Sequence, residues 1–264
     1  MNGPAPIDEH PPQFSLWALG SLWAAVAIPM PLLAFWVAPK LSAASGWHPG
    51  IALWLCMIVG MVWQFVLATA LLWRESRRDK GRLTLGQRIW WQLPRDPGTG
   101  AMTLRPFIWL VPIFVLTPLI EVTGLADLLA RPLLWIAPAL AQVPEPDIRG
   151  LADPAFHGAW WLLGLWAISF IFNYFLGEEL FFRGLLLPRM RGVFGRWDWL
   201  ANGVFFGTYH LIRPLTVPSI IVTAALWALP CARYRSALFA VIPHVVEGLF
   251  VLFLVLGVVT GALP

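Results

Sequence analysis

An all-α, polytopic membrane protein is what this sequence predicts, and three observations predict it. Hydrophobic residues fill 59% of the 264 positions and charged residues 12%, about half the roughly 25% charged content of soluble domains. The 18 basic and 14 acidic side chains are clustered, leaving apolar stretches near the ~20 helical residues that cross a bilayer core of about 30 Å. Seventeen Trp and 17 Phe against 3 Tyr add lipid-facing and interfacial character. A soluble enzyme, a disordered chain and a disulfide scaffold are excluded. Cys56 and Cys231 lie in or beside apolar segments and read as buried packing residues.

The elements follow in order. Met1 to Gln13 has no Lys or Arg, and the apolar run after it is long and contains Pro29 and Pro31. That is a retained first span, from Ser15 to Ala38, rather than a cleavable signal peptide. A second span runs from Gly50 to Trp73. A basic loop, 74–105, comes next. Its middle, Gln87 to Leu93 with Trp90 and Trp91, reads as a short helix lying in the interface, and Asp96-Pro97-Gly98 breaks it. A third span covers Pro106 to Thr123. The stretch 125–142 is apolar but interrupted by Arg131, Pro132 and Pro138; a poor span, a re-entrant segment and a surface helix all fit it. Val143 to Asp153 is a loop. Further spans are expected at Ala159 to Leu187, Trp197 to Ile212, Pro218 to Leu229 and Ser236 to Gly257, for a bundle of about seven or eight transmembrane helices around a polar cavity. Residues 1–158 form an N-terminal transmembrane region and 159–264 the helical core that carries the chemistry.

Charge orients this bundle. Eight of the 18 basic residues lie from Arg74 to Arg105, the mark of a cytoplasmic loop, not of a nucleic-acid surface. With seven alternating spans, Arg189, Arg191, Arg196, Arg233 and Arg235 join them, making thirteen inside. Lys40, Arg131, Arg149 and Arg213 fall outside. The N-terminus is then cytoplasmic, 125–142 does not cross, and a bacterial inner membrane is the expected location.

Charge within a span costs at least about 2.5–3.5 kcal/mol per residue, so the run Phe175-Leu-Gly-Glu178-Glu179-Leu-Phe-Phe-Arg183 stands out. On a helix Glu179 and Arg183 are four apart and face each other as an ion pair. Glu178 is rotated about 100° from Glu179 and about 140° from Arg183, so it is the less neutralised carboxylate and the better general base. His210 and His244 also fall within spans. At about 1.5 Å per residue, His210 lies roughly 20 Å deep, His244 roughly 12 Å and Glu178 about 15–18 Å from the inner face. A single intramembrane His is commonly a helix–helix contact. Two His and two Glu at overlapping depths point instead to one buried polar site.

Glu178-Glu179-x-x-x-Arg183, Phe206-x-x-x-His210 and a late His244, together with Arg235-Ser236-Ala237-Leu238 leading into the last helix, resemble the CPBP family. Its members are CAAX prenyl endopeptidases and bacteriocin-processing, abortive-infection-like membrane proteins. The resemblance spans roughly Trp160 to Gly257. It implies an intramembrane protease in which Glu178 and His210 hold and activate the attacking water. Glu179 and Arg183 organise the site, and His244 stabilises the oxyanion. A membrane-associated or lipidated protein or peptide is the implied substrate, in a lipid bilayer and without nucleic acid. The family usually has Asn or Asp four residues after the late His; here the position is Gly248, with Glu247 one residue earlier. No cofactor is expected for a glutamate-type mechanism. Zn²⁺ is the alternative, with Glu178, His210 and His244 as ligands. Two other classes compete: a non-catalytic scaffold or immunity-type partner keeping the fold, and a proton-coupled transporter, which would need paired repeats that the sequence lacks.

Overall fold

The computed structural model describes residues 10–143 and 148–263. Part of the Val143 to Asp153 loop and most of Met1 to Gln13 therefore lie outside the described residues. The described chain is helical, without strands. Six helices are long and apolar enough to cross a membrane. They are α1 (Leu16–Ser45), α2 (Pro49–Arg78), α4 (Arg105–Val122), α6 (Leu162–Met190), α8 (Val217–Tyr234) and α9 (Leu238–Thr260). Three shorter helices interleave with them: α3 (Leu85–Ile89), α5 (Leu125–Ile136) and α7 (Asp198–Tyr209).

The first two spans run further than their apolar stretches. Ser15 caps α1 by accepting from the Ala18 amide at 3.2 Å, and Gly46, at φ 71°, ends it. Pro29, Pro31 and Pro39 are absorbed along the way, with one turn of i→i+5 bonding over Leu33–Val37, the local adjustment that membrane helices tolerate. His48 caps α2 through Nδ1, which accepts from Gly50 at 3.1 Å. Gly60 lets α1 close on α2, since a Cβ there would strike Met30.

Span count is where structure and sequence differ. The stretch expected at Trp197 to Ile212 folds as α7, 12 residues long and about 18 Å from end to end, too short for a bilayer core. It packs along α8 with no side chain between them. A Cβ on Gly203 would stand 2.8 Å from Ala225 Cα, and one on Gly207 2.9 Å from Ile221 N. Such contacts need small residues. α7 and α8 are thus an antiparallel hairpin that leaves one face and returns to it. α5 is also only 12 residues long, and its Trp135 and Ile136 are exposed; of the three readings left open for 125–142, crossing is removed by length.

The turns collect on two faces. On one, Phe14 N donates to Arg189 O at 2.9 Å and Arg95 N to Tyr234 O at 2.8 Å. Ala237 N donates to Trp90 O at 2.8 Å, and Gln13 Nε2 to Arg191 O at 2.8 Å. All thirteen residues of the basic set belong to these segments. On the other face Gly158 N donates to Val259 O at 2.8 Å, and the His48 and Phe156 rings meet at 5.2 Å.

The middle of the basic loop packs against the helical bundle. α3 starts with a capping box of Thr84 and Gln87 and ends where Trp90 takes φ 55°. Trp90 is buried beside Leu187, Trp227 and Phe239. Ion pairs anchor this segment. Buried Arg88 pairs with Glu75 at 2.5 Å and Asp79 at 2.7 Å, and Glu75 also holds buried Arg189 at 2.8 Å. Two cations inside the protein are tolerated because two carboxylates meet them.

Candidate active site

The acidic pair sits at an irregular point of α6. Phe172–Gly177 and Leu180–Leu186 are wound in i→i+5 turns, and Glu178 and Glu179 lie between them. Such wide turns recur at functional positions. Here the widening accompanies a close helix contact: a Cβ on Gly177 would stand 3.0 Å from Met61 O on α2. Glu179 and Arg183 are completely buried and Glu178 and His244 nearly so.

Four of the five expected residues are joined. Arg183 Nη1 lies 3.3 Å from Glu179 Oε1, the i,i+4 ion pair expected from the sequence. The guanidinium also stacks on the Phe206 ring at 3.9 Å. His244 stands between the two glutamates, with Nδ1 2.9 Å from Glu179 Oε1 and Nε2 3.7 Å from Glu178 Oε2. Its ring is gripped by Tyr174 at 4.7 Å and Trp227 at 5.6 Å. Glu179 is thus the shared anchor of Arg183 and His244, so the histidine's orientation depends on it.

His210 is the outlier. It follows the last residue of α7, and its Nδ1 lies 2.9 Å from Phe206 O. A carbonyl only accepts, so Nδ1 carries the proton and Nε2 is left with a lone pair. The Phe206 ring touches His210 at 4.8 Å and His244 at 6.1 Å, placing both histidines at one aromatic hub. No hydrogen bond or ion pair joins His210 to either glutamate among the described residues.

Three polar residues at the site carry no expectation from the sequence. With its amide nitrogen turned to the carboxylate, Asn173 donates to Glu178 Oε1 at 2.8 Å and Oε2 at 3.2 Å. The Tyr209 hydroxyl receives Gln64 Nε2 at 2.5 Å. Gln64, as a lone amide in the second span, was a legible signal. Asn173 was not. It is five residues from Glu178, on another side of a regular α-helix, and only i→i+5 winding turns it toward the carboxylate.

Gly248 has a steric reason. A Cβ there would strike the Tyr174 ring and stand 2.7 Å from Phe170 Cδ2, so Tyr174 occupies the space an Asn or Asp side chain would take. Glu247 is exposed and makes no hydrogen bond to His244. Asn202 is structural, donating to Phe182 O at 2.9 Å.

The metal alternative fits the geometry poorly. No three His, Cys, Asp or Glu side chains among the described residues converge as a metal site. His244 Nδ1 faces Glu179 and His210 Nδ1 faces Phe206 O, so a metal would have to be held by the two Nε2 atoms and Glu178, which are not brought together as one group. No step is routed through zinc.

Comparison with known proteins bears on the same stretch. No curated protein and no solved structure matches the chain. Residues 159–250 match the family model described as type II CAAX prenyl endopeptidase Rce1-like. That segment runs from the start of α6 to the middle of α9 and contains both glutamates, Arg183 and both histidines. In residues 159–250, this integral membrane protein carries an Rce1-like domain of the CPBP family.

Proposed function

We propose that the protein is an intramembrane endopeptidase that hydrolyses a peptide bond in a membrane-associated or lipidated substrate by glutamate-activated water. The observation that carries this reading is His244 set between Glu178 and Glu179 in a buried cluster of the Rce1-like segment. Glu178 is the base. It takes a proton from water as the water oxygen bonds to the carbonyl carbon. His210, with its Nε2 lone pair, accepts the other water hydrogen and orients the nucleophile. Glu179, anchored by Arg183, holds His244, whose Nε2 stabilises the oxyanion when it carries a proton. When the C–N bond breaks, Glu178 returns its proton to the departing amine. No zinc or other cofactor is assigned a role.

The test is cleavage by the detergent-purified protein of a quenched-fluorescent peptide ending in a farnesylated Cys and three further residues, beside its unprenylated twin. The parent is expected to cut at least one, with His210→Ala slower by about 10²–10⁴-fold. Intact peptides, or a His210→Ala variant as fast as the parent, overturn the reading. One observation favours a second reading, a non-catalytic membrane partner: the crowding of Gly248 by Tyr174 removes the side chain expected beside His244.

We further propose that the basic face is cytoplasmic and the membrane a bacterial inner one. Single cysteines placed at Arg78 and Arg191 should then react with a membrane-impermeant maleimide only in opened cells, and one at Lys40 in intact cells. The reverse pattern inverts the assignment.

A further inference from the structure

Resting on the reading of Glu178 as the base, we propose that Asn173 is the positioning residue for its carboxylate, brought there by the i→i+5 winding of Phe172–Gly177. The torsion that turns a glutamate carboxylate about its own axis is soft, so burial alone does not set it. With its nitrogen turned inward, the Asn173 amide stands 2.8 Å from Glu178 Oε1 and 3.2 Å from Oε2. One donor spanning both oxygens fixes the plane of the group. His244 Nε2 is 3.7 Å from Oε2, beyond hydrogen-bond length, so the histidine faces the carboxylate without gripping it.

The winding is what makes the contact. On a regular α-helix, residues five apart are rotated by about 140°, and Asn173 would point away from Glu178. A turn that takes in one more residue brings the two onto one side. The next residue of the same turn, Tyr174, lays its ring 4.7 Å from that of His244. Consecutive side chains of one widened turn therefore address the base and the histidine that stands between the glutamates. The adjacent glutamates are held in different ways. Glu179 is fixed by Arg183 and His244, and Glu178 by an amide, with His244 at longer range. An amide offers N–H donors but does not titrate as a side-chain acid, so it can hold a base without competing for the proton that the base takes. Asn173 acts through Glu178.

The test begins with Asn173→Leu and Asn173→Asp, both close to the parent in volume, in the peptide assay. Each is expected to lose about 10- to 100-fold in kcat, the range of one hydrogen bond to a charged group, at unchanged KM. An aspartate as fast as the parent, or losses carried in KM, would overturn the assignment. A second readout is independent of turnover and leaves Asn173 in place. The chain has 3 asparagines, so selective ¹⁵N labelling of their side-chain amides gives few signals, and that of Asn173 is the one lost in Asn173→Leu. Glu178→Gln should move its amide protons upfield, as a charge-assisted bond becomes a neutral one, while the Asn202 signal, whose donor goes to Phe182 O, stays in place. An Asn173 signal unmoved by Glu178→Gln sinks the pairing. An inactive parent whose signal does move supports the pairing and sinks only the protease reading.

Discussion

Glu178→Gln is expected to abolish peptide cleavage while leaving a folded protein. The substitution keeps the shape of the side chain and one acceptor oxygen but removes the ability to take a proton from water. A positioned general base contributes about 10²–10⁴-fold, and the loss should fall on kcat, because the group acts on the attacking water and not on the bound peptide. Stability should change little. The glutamine still accepts from Asn173, and one mismatched hydrogen bond costs about 1–3 kcal/mol. Turnover and thermal melting in the same detergent decide the matter. Cleavage within a few-fold of the parent would remove Glu178 from the mechanism. Retained biological complementation by Glu178→Gln would favour the non-catalytic scaffold.

Arg183→Met should have the largest effect on folding. Arg183 and Glu179 are both fully buried and 3.3 Å apart, and removing one member of such a pair strands a charge at a cost of about 3–5 kcal/mol. The variant also loses the stacking of the guanidinium on Phe206, worth about 1–2 kcal/mol when desolvated. Glu179 keeps its contact with His244, which tempers the cost without removing it. Against a total stability of about 5–15 kcal/mol, the expected outcome is a melting point lower by about 10 °C or more. Adding Glu179→Gln should recover much of the melting point, because the stranded charge disappears, yet leave activity lost, because His244 has lost its ionic anchor. A single variant as stable as the parent would show that the pair is not an electrostatic unit.

Much of the architecture is legible in composition and spacing. Long uncharged stretches mark the spans, and thirteen clustered cations mark one face. Among the 18 basic residues only Arg183 lies deep within a span, four positions after Glu179, so helical periodicity alone pairs them. The depths of Glu178 and His244 follow from a rise of about 1.5 Å per residue, and the two side chains do meet. Where the linear reading falls short, the cause is a contact between distant segments. α7 reads as a span because it is apolar, yet its glycines are spent on α8 and its length is only 12 residues. Trp90 reads as interfacial because tryptophan favours that zone, but the neighbours that bury it follow from packing, with the Arg88–Glu75–Asp79 cluster holding its segment against the bundle.

The sequence by itself therefore determined the medium, the charged face and the ion pair at the heart of the site, since each follows from hydrophobicity or from regular helical geometry. Only the tertiary structure decided which partners surround each glutamate. Asn173 reaches Glu178 through widened turns that no α-helical periodicity encodes, and Gln64 reaches Tyr209 across 145 positions of chain. Tyr174 fills the space beside Gly248 because its ring packs against His244 from another helix. The physical reason is common to all three. In an interior without water, a polar or aromatic group is placed by whichever neighbour satisfies or fills it, and that neighbour is set by helix packing, not by distance along the chain.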